Sequence, residues 1–397
     1  MISGGDTLII QPISAGIVSA ITGFASSFVL VVAGLQAVGA TERQAASGLL
    51  AVCIISGLCC IVLALTFRLP ISFAWSTPGA ALLVAAAATT DDFAAATGAF
   101  LVCGALILLC GLWPALGRAI TSIPRPLASA MLAGILFPIC VAPITAAVEI
   151  PWLALPVIVA WLICFRFAPR WAVPVAMVVA AVGIGITAGT DWLSRVSLVP
   201  QVEFVVPHFD PLVIVSLGLP LFIVTMAGQN VPGFAVMSTL GYTVPARPPL
   251  VASGVGTMVA SFFGGHAVNL SAITAAIMAG PDSHPDRSKR WIATVTNGIG
   301  FIVFGLAAGF ATALISAAPP ILITAVAGLA LLGSLVTAVA AAIEVPAHRI
   351  PAIATFLVTA SGIVVVSIGS AFWGLLVGGV VMAWSAFPRR RDRRAVG

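Results

Sequence analysis

Residues 261–280 read SFFGGHAVNLSAITAAIMAG and decide the fold of this 397-residue chain. The stretch is apolar enough for the interior of a membrane, but Gly264 and Gly265 weaken a helix in its first turn. Asn269 or Ser271 is a natural N-cap for a new helix, because short polar side chains accept hydrogen bonds from the free N–H groups there. The stretch therefore predicts extended backbone followed by a half-helix.

A second stretch repeats this design earlier in the chain. Residues 71–88 read ISFAWSTPGAALLVAAAA, in which 72–76 is typical of a strand and Ser76 or Thr77 is the candidate N-cap. Non-helical backbone at membrane depth occurs only where protein or a water-filled cavity satisfies its N–H and C=O groups. Paired broken segments point to the binding site of a transporter, so we predict a site where the two stretches meet.

The composition indicates a polytopic membrane protein. Hydrophobic residues make up 61% of the chain and charged residues 7%, with a mean hydropathy of +1.19. Most of the 17 Lys and Arg residues are scattered singly between apolar runs, which is typical of membrane topology rather than of nucleic-acid binding. The seven cysteines lie inside apolar runs, so the sequence predicts no disulfide, metal site or cofactor.

Apolar segments of about twenty residues predict about fourteen transmembrane spans. The first seven are 11–38, 45–66, the broken 71–88, 94–116, 126–147, 151–168 and 172–190. Residues 191–210 form an extracytoplasmic connection. The second seven are 211–239, 249–262, the broken 263–280, 290–314, 320–343, 350–367 and 370–387. The expected fold is thus all-α, with broken spans third in each half.

Charge provides an independent test of this topology. With a cytoplasmic N-terminus, all Lys and Arg residues except Arg43 and Arg195 lie on the cytoplasmic side, as the positive-inside rule requires. Each half has an odd number of spans, so the second half enters the membrane in the opposite sense to the first. We therefore predict two inverted repeats, 1–190 and 211–388, and a basic cytoplasmic tail, 389–397.

His266 is the one ionisable side chain that this topology places deep in the membrane. A core histidine satisfied by a backbone carbonyl is the alternative, but ionisable residues at membrane depth are usually functional. Burial favours the neutral imidazole, whereas a bound anion favours the protonated form. His266 is therefore the candidate for proton coupling.

Other polar groups cluster near His266 in sequence. Gln229 and Asn230 precede Pro232 and Gly233, which distort a helix and expose its backbone groups, although interhelical hydrogen bonding is the alternative role for both amides. Two half-helix N-termini that face a common point each present about half a positive charge, which favours a small anion. The candidate substrate ligands are Ser76, Thr77, Gly79, Gln229, Asn230, His266, Asn269 and Ser271.

Phe24, Phe28 and Trp75 are candidates for the wall of a flat apolar pocket. Taken singly, each is more often core packing or lipid-facing. At membrane depth we find no acid pair, no Ser/His/Asp set and no metal-ligand cluster, so the sequence does not predict an enzyme.

Three segments carry a resemblance to a known family. SFAWSTPGAAL (72–82), AGQNVPGFAV (227–236) and FFGGHAVNLSAITAAI (262–277) resemble signature stretches of the benzoate:proton symporter family (BenE type). That family is similar in architecture to nucleobase/ascorbate and sulfate-type transporters. The resemblance implies a core domain of spans 1–4 and 8–11, which carries the site, and a gate domain of spans 5–7 and 12–14.

The resemblance also implies the activity: import of benzoate or a similar aromatic monocarboxylate with a proton, by elevator-like or rocking movement of core against gate. The expected location is a bacterial inner membrane, with both termini cytoplasmic and a possible homodimer. Nucleobase relatives place an acidic residue on span eight or ten, whereas this chain offers amides, hydroxyls and His266, which suit a carboxylate better. A nucleobase or inorganic-anion transporter and an anion channel are the alternatives.

Overall fold

The computed structural model describes residues 4–113, 124–187 and 200–386. Arg118, Arg195 and the basic tail, which entered the topology prediction, lie outside these residues. The chain is mostly helical. Its elements are α1 (Gly4–Ala25), α2 (Phe28–Ala37), α3 (Glu42–Phe67), β1 (Phe73–Trp75), α4 (Thr77–Ala85), α5 (Phe93–Leu112), α6 (Arg125–Glu149), α7 (Pro151–Phe167), α8 (Ala172–Thr187), α9 (Pro211–Thr239), α10 (Arg247–Ser261), β2 (Val268–Leu270), α11 (Ala272–Ala279), α12 (Trp291–Leu306), α13 (Ala308–Ser316), α14 (Pro320–Ile343), α15 (Arg349–Ala360), β3 (Val364–Val365), β4 (Ile368–Gly369) and α16 (Ser370–Ala386).

Both broken stretches have the predicted form, a short strand followed by a short helix. β1 leads to α4, and β2 leads to α11. The two strands pair antiparallel, with Phe73 opposite Leu270 and Trp75 opposite Val268. Gly264 has a φ of +80°, a conformation that glycine adopts without steric cost, and it ends the path of α10 before β2 begins. We call the paired strands β1 and β2 the ribbon.

The serines are the N-caps of the two half-helices. Ser76, rather than Thr77, caps α4, and its Oγ accepts a hydrogen bond from the backbone N–H three residues later at 3.1 Å. Ser271, rather than Asn269, caps α11 in the same way at 3.4 Å. Each cap satisfies one of the N–H groups that a helix start leaves without a partner.

The ribbon lies inside a layer of packed helices. α3 packs on β1, α10 packs on β2, and α9 and α1 pack on α11. Around this centre α10 packs on α5, α12 packs on α3 and α1, and α14 packs on α6. His266 and Asn269 are fully buried as a result. The polar groups of the ribbon are therefore held by protein at the centre of the molecule, as the membrane argument requires.

Helix α9 contains two wide turns. Residues Ile214–Gly218 and Met226–Asn230 are π-helical, and Pro220 and Pro232 follow two residues after each turn. A proline inside an α-helix clashes with the carbonyl four residues earlier, and a π turn relieves that clash by rerouting the hydrogen bonds. The distortion predicted beside Pro232 is confirmed.

The described half of the predicted connection, residues 200–210, is extended. The Val205 N–H donates to the Phe262 carbonyl at 2.8 Å, and the His208 N–H donates to the Ala94 carbonyl at 2.9 Å. These bonds hold the segment against the ends of α5 and α10.

Seven helical stretches within the described residues are long and apolar enough to cross a membrane, and the number rises to eight if a bent pair counts as one span. That pair is Arg287–Leu306 and Ala308–Ser316, which meet at 54°. The predicted span 290–314 is therefore bent at Ala307, between α12 and α13. The count of fourteen spans and the inverted repeats stay predictions.

The first predicted span, 11–38, corresponds to one apolar helical stretch, Ile10–Ala37, made of α1 and α2. At the joint between them Ser26 and Ser27 donate their hydroxyls back to the Gly23 carbonyl and compete with the helix. One later helix prediction needs correction. The predicted span 350–367 ends as a helix at Ala360. Gly362 then takes a φ of +65°, and the β-branched residues after it form the hairpin β3–β4.

Candidate functional site

The imidazole of His266 is buried and held on one side only. Its Nε2 lies 3.0 Å from the backbone oxygen of Ser76, across the end of the ribbon. A carbonyl oxygen only accepts hydrogen bonds, so Nε2 carries a proton and donates it. Nδ1 is buried and has no hydrogen-bond partner within the described chain. Nδ1 is therefore the ring nitrogen whose lone pair is left free to accept a hydrogen bond or a proton.

Asn269 supplies a second buried atom without a partner. Its Nδ2 donates to the Leu270 carbonyl at 2.7 Å, and its Oδ1 has no partner among the residues described. Asn269 lies opposite Ala74, in the middle of the ribbon. An unpaired buried polar atom costs about 1–3 kcal/mol, so Asn269 Oδ1 and His266 Nδ1 are both candidates for contact with a ligand.

Ser76 offers a free hydroxyl proton at the same end of the ribbon as His266. Its Oγ accepts from the Gly79 N–H at 3.1 Å and from the Thr225 Oγ1 at 2.9 Å. A serine hydroxyl has two lone pairs and one proton, so two accepted bonds leave its O–H to donate. The Gly79 N–H, predicted as a substrate donor, is engaged by the cap. Thr77 is half-buried in the first turn of α4.

The two amides of α9 have different surroundings. Asn230 is fully buried, its Oδ1 accepts from the Leu270 N–H at 2.9 Å, and its Nδ2 lies 3.3 Å from the Met226 sulfur. Asn230 therefore joins α9 to β2, which is the alternative role considered for it. Gln229 is half-buried in the same π turn, next to Gly228, which lies beside Pro78 at the start of α4.

The predicted aromatic residues form one cluster, which is larger than expected. Phe24 stacks on Phe28 with ring centroids 4.8 Å apart and meets Trp75 edge-on at 6.1 Å. The sequence analysis missed Phe301, which lies 5.1 Å from Trp75, and Phe304, which stacks on Phe24 at 5.0 Å. Both belong to α12, and their spacing of three residues on one helix face was the available signal.

The two helix caps do not meet at one point. Ser76 and Ser271 lie at opposite ends of the ribbon. The register puts Ser271 opposite Ser72, four residues before Ser76, so the two caps are about 13 Å apart along the strand direction. The two helix starts therefore flank the ribbon from opposite ends, each with the positive end of its dipole towards it. His266, Ser76 and Trp75 share one end, whereas Ser271 lies at the other end.

Arg290 holds the far end of half-helix α11. The guanidinium is buried and donates to the carbonyls of Ala279 and His284, each at 2.7 Å. A cation at a helix C-terminus complements the negative end of the helix dipole. Arg290 therefore fixes α11, whose N-terminus faces the ribbon. The sequence showed this residue only as one of several cations in a joint.

The fold and the site together define a class of protein. The chain resembles the transmembrane domain of the cyanobacterial bicarbonate transporter BicA, with a TM-score of 0.57 at 15% identity over 94% of this chain and 97% of that chain. It also resembles SLC26A9, with a TM-score of 0.58 at 13% identity over 96% of this chain and 65% of that chain. This is the fold of a membrane transporter, with broken helices around a central site.

The family follows from sequence. A model described as benzoate membrane transport protein (BenE) matches residues 7–384, and the chain belongs to that family, as the resemblance predicted. It is 39% identical to the inner membrane protein YdcO of Escherichia coli over 92% of this chain and 93% of that protein. It is 30% identical to the benzoate membrane transport protein of Acinetobacter baylyi, over 92% of each chain.

Proposed function

We propose that this protein imports benzoate, or a similar aromatic monocarboxylate, together with a proton. The observation that carries the proposal is the free Nδ1 of buried His266, which lies at the same end of the ribbon as the Ser76 cap and Trp75. The family supports the same substrate class, and so does the Acinetobacter baylyi relative, which is a benzoate membrane transport protein.

The ring and the carboxylate of such a substrate need different surroundings, and this site supplies both. The flat ring packs against Phe24, Phe28 and Trp75, since aromatic pairs favour stacked or edge-on contact. The carboxylate faces the free hydroxyl of Ser76 and the protonated Nδ1 of His266, which make charge-assisted hydrogen bonds. Asn269, Gln229 and the half-helix starts complete the polar side, with Ser271 acting from the far end of the ribbon.

Proton and substrate binding are coupled through one atom. When Nδ1 is unprotonated, its lone pair faces the carboxylate and repels it. When Nδ1 is protonated, the imidazolium attracts the carboxylate and the pair is neutral. A carboxylic acid titrates near pH ~4.3, so the substrate arrives ionised and one proton makes the loaded carrier electroneutral.

Movement of a core against a gate provides alternating access in this proposal. The core comprises spans 1–4 and 8–11 and the gate spans 5–7 and 12–14, in two inverted repeats of seven spans. The recurrence of a strand followed by a half-helix supports the repeats, and the packing of α5 with α10 and of α3 with α12 supports the core. We place the protein in the inner membrane with both termini cytoplasmic, as a homodimer.

The test is uptake of labelled benzoate into proteoliposomes with and without an inward proton gradient. We expect saturable, gradient-driven uptake that excess uracil and sulfate leave unchanged, and no net charge movement when the membrane potential is varied. Protein-free liposomes are the control, because the protonated acid crosses bilayers unaided. Absence of uptake by folded protein refutes the proposal.

An inorganic-anion transporter is the second candidate. Its support is the fold, since one solved structure of similar fold is a bicarbonate transporter and another, murine Slc26a9, is an anion transporter. Competition by sulfate or bicarbonate against benzoate favours this candidate, and competition by uracil favours a nucleobase transporter. Flux that rises linearly with concentration favours a channel.

A further inference from the structure

A cavity of about 340 Å³ opens at the side of the molecule where α11 ends. It is lined by Ser14, Ala15 and Val18 of α1, by Ala276 and Ile277 of α11, and by Arg170 and Asp282. Arg170 belongs to the short turn Pro169–Trp171 between α7 and α8, whereas Asp282 follows α11. The cavity therefore separates two parts of the chain that we assign to gate and core.

Two helices lead from the candidate site to this cavity. On α11, Ala276 lies five residues, about 8 Å, beyond the cap Ser271. On α1, Val18 lies six residues, about 9 Å, before Phe24 of the aromatic cluster. The cavity therefore lies within two helical turns of Ser271, at the end of the ribbon away from His266, and of the aromatic cluster.

The mouth of the cavity carries a loosely held cation. Arg170 Nη2 lies 3.4 Å from Asp282 Oδ2, and both side chains are largely exposed. A guanidinium has five N–H donors, and one long contact to one carboxylate oxygen leaves most of them free. An incoming carboxylate therefore replaces Asp282 at Arg170 with little loss of bonding, because the two partners have the same chemistry.

We propose that Arg170 is a second carboxylate-binding position, at the mouth through which the substrate passes between the site and the basic side of the membrane. Asp282 occupies Arg170 when no substrate is present and competes with the substrate for it. This inference rests on the proposed function, because the ligand is the same aromatic carboxylate. A simple latch between core and gate is the contrasting interpretation of the same ion pair.

Substitution of the two partners separates these interpretations. If Arg170 passes the substrate between the site and the membrane surface, which we call the relay, the two substitutions change benzoate affinity in opposite directions. Arg170→Gln removes the cation and weakens binding. Asp282→Asn removes the competitor, frees Arg170 and strengthens binding, while its backbone carbonyl keeps its bond from the Gln11 amide. A latch predicts that both substitutions act in the same direction, since either one breaks the pair.

The experiment measures half-saturating benzoate in exchange assays from each face of proteoliposomes with known protein orientation. We expect Arg170→Gln to raise this concentration about two- to five-fold on the Arg170 face, and Asp282→Asn to lower it by a similar factor. Arg170→Lys should keep part of the effect. Lys289→Gln, which removes an exposed cation from the same loop outside the cavity lining, is the matched control.

The outcomes distinguish the possible failures. Effects confined to the Arg170 face and opposite in sign support the relay. Effects of equal sign, or no change in either variant while the wild type exchanges benzoate, refute the relay and leave the proposed function standing. A folded wild type that exchanges no benzoate from either face refutes both.

Discussion

Replacing His266 with glutamine separates the two roles that the structure gives to one imidazole. The glutamine amide N–H can take the place of Nε2–H and donate to the Ser76 carbonyl, which is now bonded at 3.0 Å. It offers no atom that binds a proton near neutral pH. Alanine, by contrast, removes this hydrogen bond, worth about 0.5–1.5 kcal/mol, although the Ser76 carbonyl keeps its bond from the Ala80 N–H at 2.8 Å. We therefore expect His266→Gln to melt close to wild type and His266→Ala to melt lower.

The magnitude of the transport effect follows from the stoichiometry. With one proton per substrate, a gradient of one pH unit supplies about 1.4 kcal/mol and supports roughly tenfold accumulation. We expect wild-type protein to approach that ratio. His266→Gln should still exchange labelled for unlabelled benzoate, because Ser76 and the aromatic cluster remain, but its accumulation ratio should be about one.

The assay compares exchange and gradient-driven accumulation in the same proteoliposomes. Protein-free liposomes correct for passive entry of the protonated acid, and wild-type protein with a collapsed gradient gives the uncoupled value. If His266→Gln still accumulates benzoate tenfold per pH unit, Nδ1 is not the coupling site. If it loses exchange as well as accumulation while melting normally, His266 serves in binding rather than coupling.

Three further substitutions test other parts of the site. Asn230→Ala leaves the buried Leu270 N–H unpaired, so we expect a stability loss of about 1–3 kcal/mol, measured as a lower melting temperature in detergent. An unchanged melting temperature contradicts the role of Asn230 in joining α9 to β2. Phe24→Ala removes aromatic contacts worth about 0.5–1.5 kcal/mol, so the half-saturating benzoate concentration in exchange assays should rise about two- to twelve-fold. An unchanged concentration means that the benzoate ring does not bind at this cluster. Arg290→Met removes the donor to the Ala279 carbonyl, so we expect a lower melting temperature and weaker benzoate binding. Arg290→Lys should restore part of both. Normal benzoate binding by Arg290→Met would show that Arg290 does not position the site.

The broken spans could be predicted because their causes are local. Glycine at 264 and 265 and serine at 76 and 271 act through backbone freedom and capping within a few residues. The same local chemistry explains one of the errors. Gly362, with its positive φ, ends a helix that apolar composition alone extended to residue 367.

The arrangement of the site depended on contacts between distant residues. His266 bonds the backbone of a residue 190 positions earlier, and Asn230 bonds the backbone of Leu270 40 positions later. No periodicity or cap signal specifies such pairs. The sequence placed the two caps at a common point, whereas the antiparallel register puts Ser76 and Ser271 at opposite ends of the ribbon.

The proposed mechanism needs an anion site that works without a permanent cation in its own strands. Residues 71–77 and 266–271 contain no Lys or Arg, so these two segments offer the ligand the positive ends of two helices, each roughly half a charge. That field attracts a carboxylate but does not neutralise it, and crossing the membrane in this state carries net charge. A proton on Nδ1 of His266 supplies the difference. In this proposal the two helix starts select a negatively charged ligand, and protonation of His266 Nδ1 decides whether the carrier crosses the membrane loaded and neutral.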